Sequence, residues 1–185
     1  MREASAEIGG GNSGQRCHLP HSRAVEKKCA SNWIEWNFNE VIQEAAYLVP
    51  NQATGNGVTM RLDLSTDLPL ARGDRVQLRQ VLTNLIMNGV DAMCPLDDGP
   101  RKLGIKSARD ARAVVVQVRD SGTGFDPEQP DRTFEPLFTT KPGTALGLSI
   151  SRSIIEFHGG RLRAVPNSGG AQFESTLLSA DAGAV

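Results

Sequence analysis

No run of apolar residues in this chain approaches the roughly 20 needed to cross a bilayer. The longest, AVVVQV at residues 113–118, is broken by a glutamine. The opening MREASAEIGGG has no apolar stretch of the kind a secretory leader needs, so a cytoplasmic location is the expectation. Cysteine is scarce: the three present, Cys17, Cys29 and Cys94, have no paired spacing, which argues against a disulfide framework and suits reduced thiols. Cys17, His18, His21 and Cys29 could be written as four zinc ligands, but their spacing matches no common zinc site and the surroundings are Gly/Ser-rich. An excess of either charge is missing too, since 20 basic and 21 acidic residues leave a net −1. No electropositive face therefore invites nucleic acid.

What remains is the pattern of one globular domain, with 39% hydrophobic residues and no repeat or low-complexity block. Residues 1–32 hold many Gly and small polar residues and too few aliphatics to offset the entropy of ordering them, so they read as a flexible tail. Residues 33–180 read as the domain and 181–185 as a short tail. Asn39 is a plausible N-cap for EVIQEAAYLV, Asp74 caps a long helix over 75–93 that Pro95 ends, and LGLSISRSIIEFH is stopped by Gly159 and Gly160. Strands are expected at GVTMRLDLS, with Val58, Met60, Leu62 and Leu64 inward, then at RKLGIKSA, RAVVVQVRD, GRLRAVP and AQFESTLL. Three helices and about five strands make a mixed α/β layer pair, an α+β two-layer sandwich. Residues 121–145 show no period and are rich in Gly, Pro and Thr, which marks a functional loop.

Two features carry chemistry. At about 100° per residue, Gln80, Asn84, Asn88 and Asp91 share a stripe of the long helix, opposite Leu78, Leu82, Leu85, Ile86 and Met93. A polar stripe commonly just faces water, but solvated faces favour Lys, Glu and Arg, whereas Asn is a poor helix former. Neutral carboxamide oxygens can ligate Mg²⁺ without cancelling its charge, leaving it able to grip phosphates. The second feature is VVVQVRDSGTGFDP, where a strand runs into Asp120-Ser121-Gly122-Thr123-Gly124. Glycines admit a ligand close to backbone, and a carboxylate can accept a hydrogen bond from an exocyclic amine such as adenine's. A dinucleotide fingerprint does not fit, because the third glycine is missing and the acid precedes the others; a plain turn is the bland alternative. Downstream, Lys141, Gly143 and a helix beginning near Leu146 place a basic residue and free N–H groups at a positive helix end, suited to phosphate.

In this order the elements resemble the catalytic, ATP-binding domain of sensor histidine kinases, the Bergerat or GHKL fold. NLIMNGVDAM is similar to the N box, DSGTGF to the G1 box, FEPLFTTK to the F box and GTALGLS to the G2 box. The likeness runs from about Trp33 to Leu178 and is strongest to nitrogen- and oxygen-sensing kinases. It implies a mixed sheet of about five strands covered on one face by three helices. It also implies that Asn88 ligates Mg²⁺ on the ATP phosphates, with Asn84 supporting the phosphate side and Asp91 within the site. Asp120 would bond the adenine amine, with Gly122, Gly124 and Phe125 around the base, and Phe134 and Phe138 in a mobile lid. Thr140 and Lys141 would face phosphate, and Gly143, Leu146, Gly147 and Leu148 would shape the lid's far end.

The resemblance further implies transfer of the γ-phosphate to a protein histidine, with a response regulator downstream. Related ATPases carry a water-activating glutamate at the place of Asn84, and asparagine takes no proton near neutral pH. An H box is not found: His18, His21 and His158 lack the acidic neighbour that would withdraw the imidazole proton. The phosphoacceptor is therefore expected on a partner dimerisation hairpin in trans, and the alternative is a truncated or degenerate non-catalytic binding module of the same fold. A serine kinase of the anti-sigma type fits the F box less well. KPGTALGL is one residue shorter than the usual G2 pattern and sets Ala145 where glycine is expected, at an expected cost of about 1–3 kcal/mol in nucleotide binding.

Overall fold

The computed structural model describes residues 34–49, 53, 55–96, 99–135, 147–167 and 169–180. The tail assignments for residues 1–32 and 181–185, and the Cys17–Cys29 cluster, lie outside them. The elements run β1 (Ile34–Trp36), α1 (Phe38–Leu48), β2 (Thr59–Leu64), β3 (Ala71–Gly73), α2 (Arg75–Met93), β4 (Lys102–Asp110), β5 (Ala113–Asp120), a 3₁₀ turn (Pro130–Phe134), α3 (Gly147–Phe157), β6 (Arg161–Val165) and β7 (Gln172–Leu178).

Five strands form one sheet in the order β2-β4-β5-β7-β6. Only β2 and β4 are parallel; the β4–β5, β5–β7 and β6–β7 pairs are antiparallel. A parallel neighbour requires a crossover, and the chain between β2 and β4 supplies it as β3 and α2. On one face Leu103, Ile105, Val114, Val116, Val118, Leu162, Phe173 and Leu177 are buried against the apolar sides of α1, α2 and α3. The opposite face is polar, with Lys106 paired to Asp63 at 3.4 Å and Arg163 paired to Glu174. The two-layer sandwich expected of the pattern is what forms.

Local chemistry explains the element ends. The Asp74 carboxylate accepts from the N–H groups of Val76 (2.9 Å) and Gln77 (3.2 Å), satisfying two of the orphan donors at the start of α2. After α3, Gly159 takes φ +72° and the Gly160 N–H returns to the Ile155 carbonyl, a glycine stop. At the N-terminus of α1 the expectation needs correcting: Asn37, not Asn39, is the cap, its side chain accepting from the Asn39 N–H at 2.9 Å. Asn39 lies inside the helix, where its Nδ2 donates to the Ser65 carbonyl and its Oδ1 accepts from the Ser107 hydroxyl, so its polarity serves a tertiary contact. Leu62 also departs from expectation, being 40% exposed. It lies on an edge strand, where there is less to cover an inward position.

The small antiparallel pair β1–β3 was not foreseen, because three-residue strands are too short to show a period. It is fastened by Trp36, whose indole N–H donates to the Gly73 carbonyl at 3.3 Å.

Replacing Asp74 by Ala should lower unfolding stability by about 1 kcal/mol, seen as an earlier urea midpoint at unchanged slope. At the β4–β5 turn Ala111 holds φ +48°, a left-handed conformation that disfavours a Cβ. Ala111→Gly should therefore raise unfolding stability by about 0.5–1 kcal/mol, seen as a later urea midpoint; an earlier midpoint would count against strain at this turn.

Candidate functional site

The site grows from the side of α2 that its apolar residues do not use. Asn84, Asn88 and Asp91 are half-buried rather than washed by solvent, whereas Gln80, expected on the same stripe, is exposed. Asn84 donates from Nδ2 to the Ser151 hydroxyl oxygen on α3, a long bond of 3.4 Å. The Nδ2 of Asn88 is buried and has no hydrogen-bond partner among the described residues. An orphaned amide is costly, so a solvated stripe does not account for this face.

Asp120 closes the other side. It is the last residue of β5, paired in register with Leu103, and is only 4% exposed. Its Oδ1 accepts from the N–H groups of Gly122 (2.8 Å) and Ala171 (3.1 Å), and its own N–H donates to the Ala171 carbonyl at 2.9 Å. Among the described residues nothing donates to Oδ2. That oxygen is turned toward α2: a Cβ placed on Gly89 would sit 3.6 Å from it and 3.3 Å from the Asp120 Cβ. Asp120 is thus brought beside the residue that follows Asn88. Burial, partly offset by the Ala171 and Gly122 N–H groups, pushes its carboxyl above the usual carboxylate range.

The loop after β5 is folded onto the same helix. The Thr123 N–H donates to the Ala92 carbonyl at 3.3 Å. A Cβ on Gly122 would come within 2.7 Å of the Ala92 side chain, so only glycine allows this approach. Phe125 packs beside the core with its ring 6.1 Å from that of Phe173. Phe134 is buried edge-on against the same ring, and the Arg152 guanidinium lies 4.9 Å from its centroid. Gly147 opens α3 next to Asn84, and Leu148 is buried one residue on. Phe138, Thr140, Lys141, Gly143, Ala145 and Leu146 lie outside the described residues.

Sequence reasoning missed two contributors. Ser151 is fully buried, yet serine inside a helix gives no signal of its own. The β6–β7 turn, read only as a connection, supplies the Ala171 N–H that holds Asp120. Gly170 there takes φ +116°, and a Cβ on it would run into the Asp120 carbonyl. The paired Gly169-Gly170 was the available hint. A shallow groove lined by Gln77, Ile150, Ile154 and Phe157 contains none of the site residues.

With this geometry in view, comparisons with known proteins are decisive. Residues 73–180 match the family model described as histidine kinase-, DNA gyrase B- and HSP90-like ATPase. The chain belongs to that family. Within it, the chain is similar to sensor kinases. It is 41% identical over 148 residues to the sensor protein FixL of Bradyrhizobium diazoefficiens, covering 78% of this chain and 29% of that protein. It is 38% identical over 145 residues to the sensor protein TdiS of Thauera aromatica, covering 76% and 26%. Among solved structures, the nucleotide-free catalytic domain of histidine kinase ThkA superposes with a TM-score of 0.71 at 31% identity, covering 80% of this chain and 95% of that one. The match to domain and not to whole protein is plain: the chain spans under a third of those two sensor proteins. The fold is therefore that of a histidine-kinase catalytic domain, and the family is one of ATP-binding domains.

The raised Asp120 pKa sets a stability prediction for this domain. A folded value above the unfolded one, about 3.9, means the group's contribution is fully present below the unfolded value and is lost as pH rises through the folded one. At pH 7 the burial cost is borne in full. Asp120→Asn, which removes the charge while keeping the shape, should leave stability at pH 7 equal or higher and flatten its pH dependence in mildly acid solution. Urea titrations across pH 4–8 would read both, and a clear loss of stability at pH 7 would overturn the assignment.

Proposed function

We propose that this domain binds Mg-ATP between α2 and the loop after β5, and transfers the γ-phosphate to a histidine on a separate helical hairpin. The observation that carries the reading is the buried Asp120 carboxylate, with one oxygen bonded to two backbone N–H groups and the other turned toward Gly89. A buried carboxylate oxygen, as an acceptor, suits the adenine 6-amino group, and it repels guanine, which offers an acceptor there.

Asn88, the residue before Gly89, has an unsatisfied amide nitrogen, a donor suited to a phosphate oxygen, and its carboxamide oxygen is the atom a cation would use. Carboxamides suit a hard cation that arrives already bound to phosphate, since Mg²⁺ takes one or two protein oxygens and keeps waters and phosphate oxygens for the rest. The donor set fits Mg²⁺, with Asn88 as the ligand and Asn84 on the phosphate side. When bound, the cation would neutralise charge on the transferring phosphoryl group.

Asn84 stands where a general base would otherwise activate water, which favours transfer over hydrolysis. The acceptor is sought outside this chain's described residues because His158 is unsuited. It is 6% exposed, its Nε2 accepts from the Asp74 N–H at 3.0 Å and its Nδ1 lies 2.7 Å from the Ile154 carbonyl. Such a histidine is a strut between α3 and α2. The relative ThkA has been solved in complex with the response regulator TrrA; a receiver of that kind downstream fits the proposal. No described helix is long and apolar enough to cross a membrane.

Titration with a fluorescent ATP analogue, with and without Mg²⁺, should show saturable binding that Mg²⁺ strengthens. ATP should displace the analogue and GTP should do so at least tenfold less well, the scale of one misplaced polar group. Asp120→Asn should weaken ATP by at least as much. Absence of saturation at millimolar nucleotide would refute the reading. Binding without transfer of label from ATP to a supplied histidine hairpin would instead support the non-catalytic module.

A further inference from the structure

Ser151 is 0% exposed, lies on α3 and is not among the residues that the four sequence boxes single out. A hydroxyl has one proton and two acceptor positions. Here the proton is committed: Oγ donates to the Gly147 carbonyl one turn back at 2.7 Å. Only acceptor capacity is left for the neighbour across the helix pair, and Asn84 Nδ2 fills it at 3.4 Å. The hydroxyl therefore selects which end of the Asn84 carboxamide faces α3. Were the amide turned over, its oxygen would meet an oxygen that has no proton to give. The NH₂ end must point to Ser151, and Oδ1 points away from it.

The same hydroxyl ties the arrangement to the start of α3. Gly147 is the first described residue after residue 135, and its hypothetical Cβ would lie 3.9 Å from both Cγ and Nδ2 of Asn84. Asn84, Gly147 and Ser151 thus form a three-way contact between the two helices. A helical serine bonded only to its own i−4 carbonyl would be an ordinary feature. This one also holds the carboxamide proposed to face phosphate.

We propose that Ser151 is a positioning residue for the nucleotide's phosphate end: it orients Asn84 so that the carboxamide oxygen, and not the amide, is offered to the Mg-phosphate side of the site. This rests on the Mg-ATP reading above. Ser151 acts through Asn84, and no hydrogen bond among the described residues joins it to the purine end at Asp120.

A double-mutant cycle on the full chain tests it, with Mg-ATP and adenosine as probes. Ser151→Ala should weaken Mg-ATP about fivefold, the scale of one hydrogen bond to an uncharged group, and leave adenosine affinity unchanged. Ser151→Cys, which keeps the side-chain volume with a much weaker acceptor, should behave like Ala in binding while guarding against a packing defect; urea midpoints confirm that both fold. In the Asn84→Ala background the Ser151 substitutions should have no further effect. Equal weakening of adenosine and Mg-ATP, or an undiminished loss in the Asn84→Ala background, would show a general structural role and overturn the proposal. If Asn84→Ala weakens Mg-ATP and Ser151→Ala does not, the Ser151 assignment alone falls. If Asn84→Ala leaves Mg-ATP binding intact, the placement of Asn84 at phosphate falls and the Ser151 proposal falls with it.

Discussion

A carboxylate taken out of water at the end of a strand is the constraint around which the domain is arranged. Leaving Asp120 ionised in a buried position is unfavourable unless something donates to it. Two backbone N–H groups do so, one from the loop that follows it and one from Ala171 at the end of the β6–β7 turn. For both to reach one oxygen, the β6–β7 turn must lie directly against the end of β5, which the positive φ and missing side chain of Gly170 allow. The second oxygen is then left facing α2. Helix, strand end and turn meet at that point because one acid has to be satisfied on one side only.

The same economy governs α2. Its apolar residues are anchored in the core, and Leu78, Leu82, Leu85, Ile86 and Met93 are each 1% exposed or less. Packing on that scale supplies the stability that intrinsic propensity does not, so the helix tolerates two asparagines and a glycine. Gly89 is more than a weak spot, because a Cβ there would press to within 2.7 Å of the Leu103 side chain beside the Asp120 carboxylate. The helix is held in place by its apolar face, and the half-buried Asn84, Asn88 and Asp91 lie on the other. Ser151 on the neighbouring helix bonds to that face through Asn84.

The relation to sensor kinases sets the division of labour. The chain matches 95% of a solved catalytic domain but spans under a third of the sensor proteins FixL and TdiS. Its one described histidine is engaged as a strut between α3 and the N-terminus of α2. In the reading proposed above, this domain contributes the nucleotide site and the phosphoacceptor lies elsewhere.

Much of this was legible in the residues themselves. The five strands of the main sheet, the three helices, the Asp74 cap and the Gly159 stop all carry local signals, namely alternation, helical period and end chemistry, and each forms where those signals lie. Asn84, Asn88 and Asp120 could be named because their residue types are odd for their settings. Other features lay beyond reach. The cap at Asn37 rather than Asn39 turned on a contact with Ser65 and Ser107, distant in the chain. The β1–β3 pair is too short to have a period.

By itself, then, the sequence determined which segments are helix or strand and which side chains are chemically out of place, since those depend on neighbours a few residues away. Only the tertiary structure decided that the Ala171 N–H reaches Asp120, that Oδ2 faces Gly89, and that Asn84 donates to Ser151. Those contacts join residues 51, 31 and 67 positions apart. No local pattern encodes them, because they arise from the register of β5 against β7 and the packing of α2 against α3.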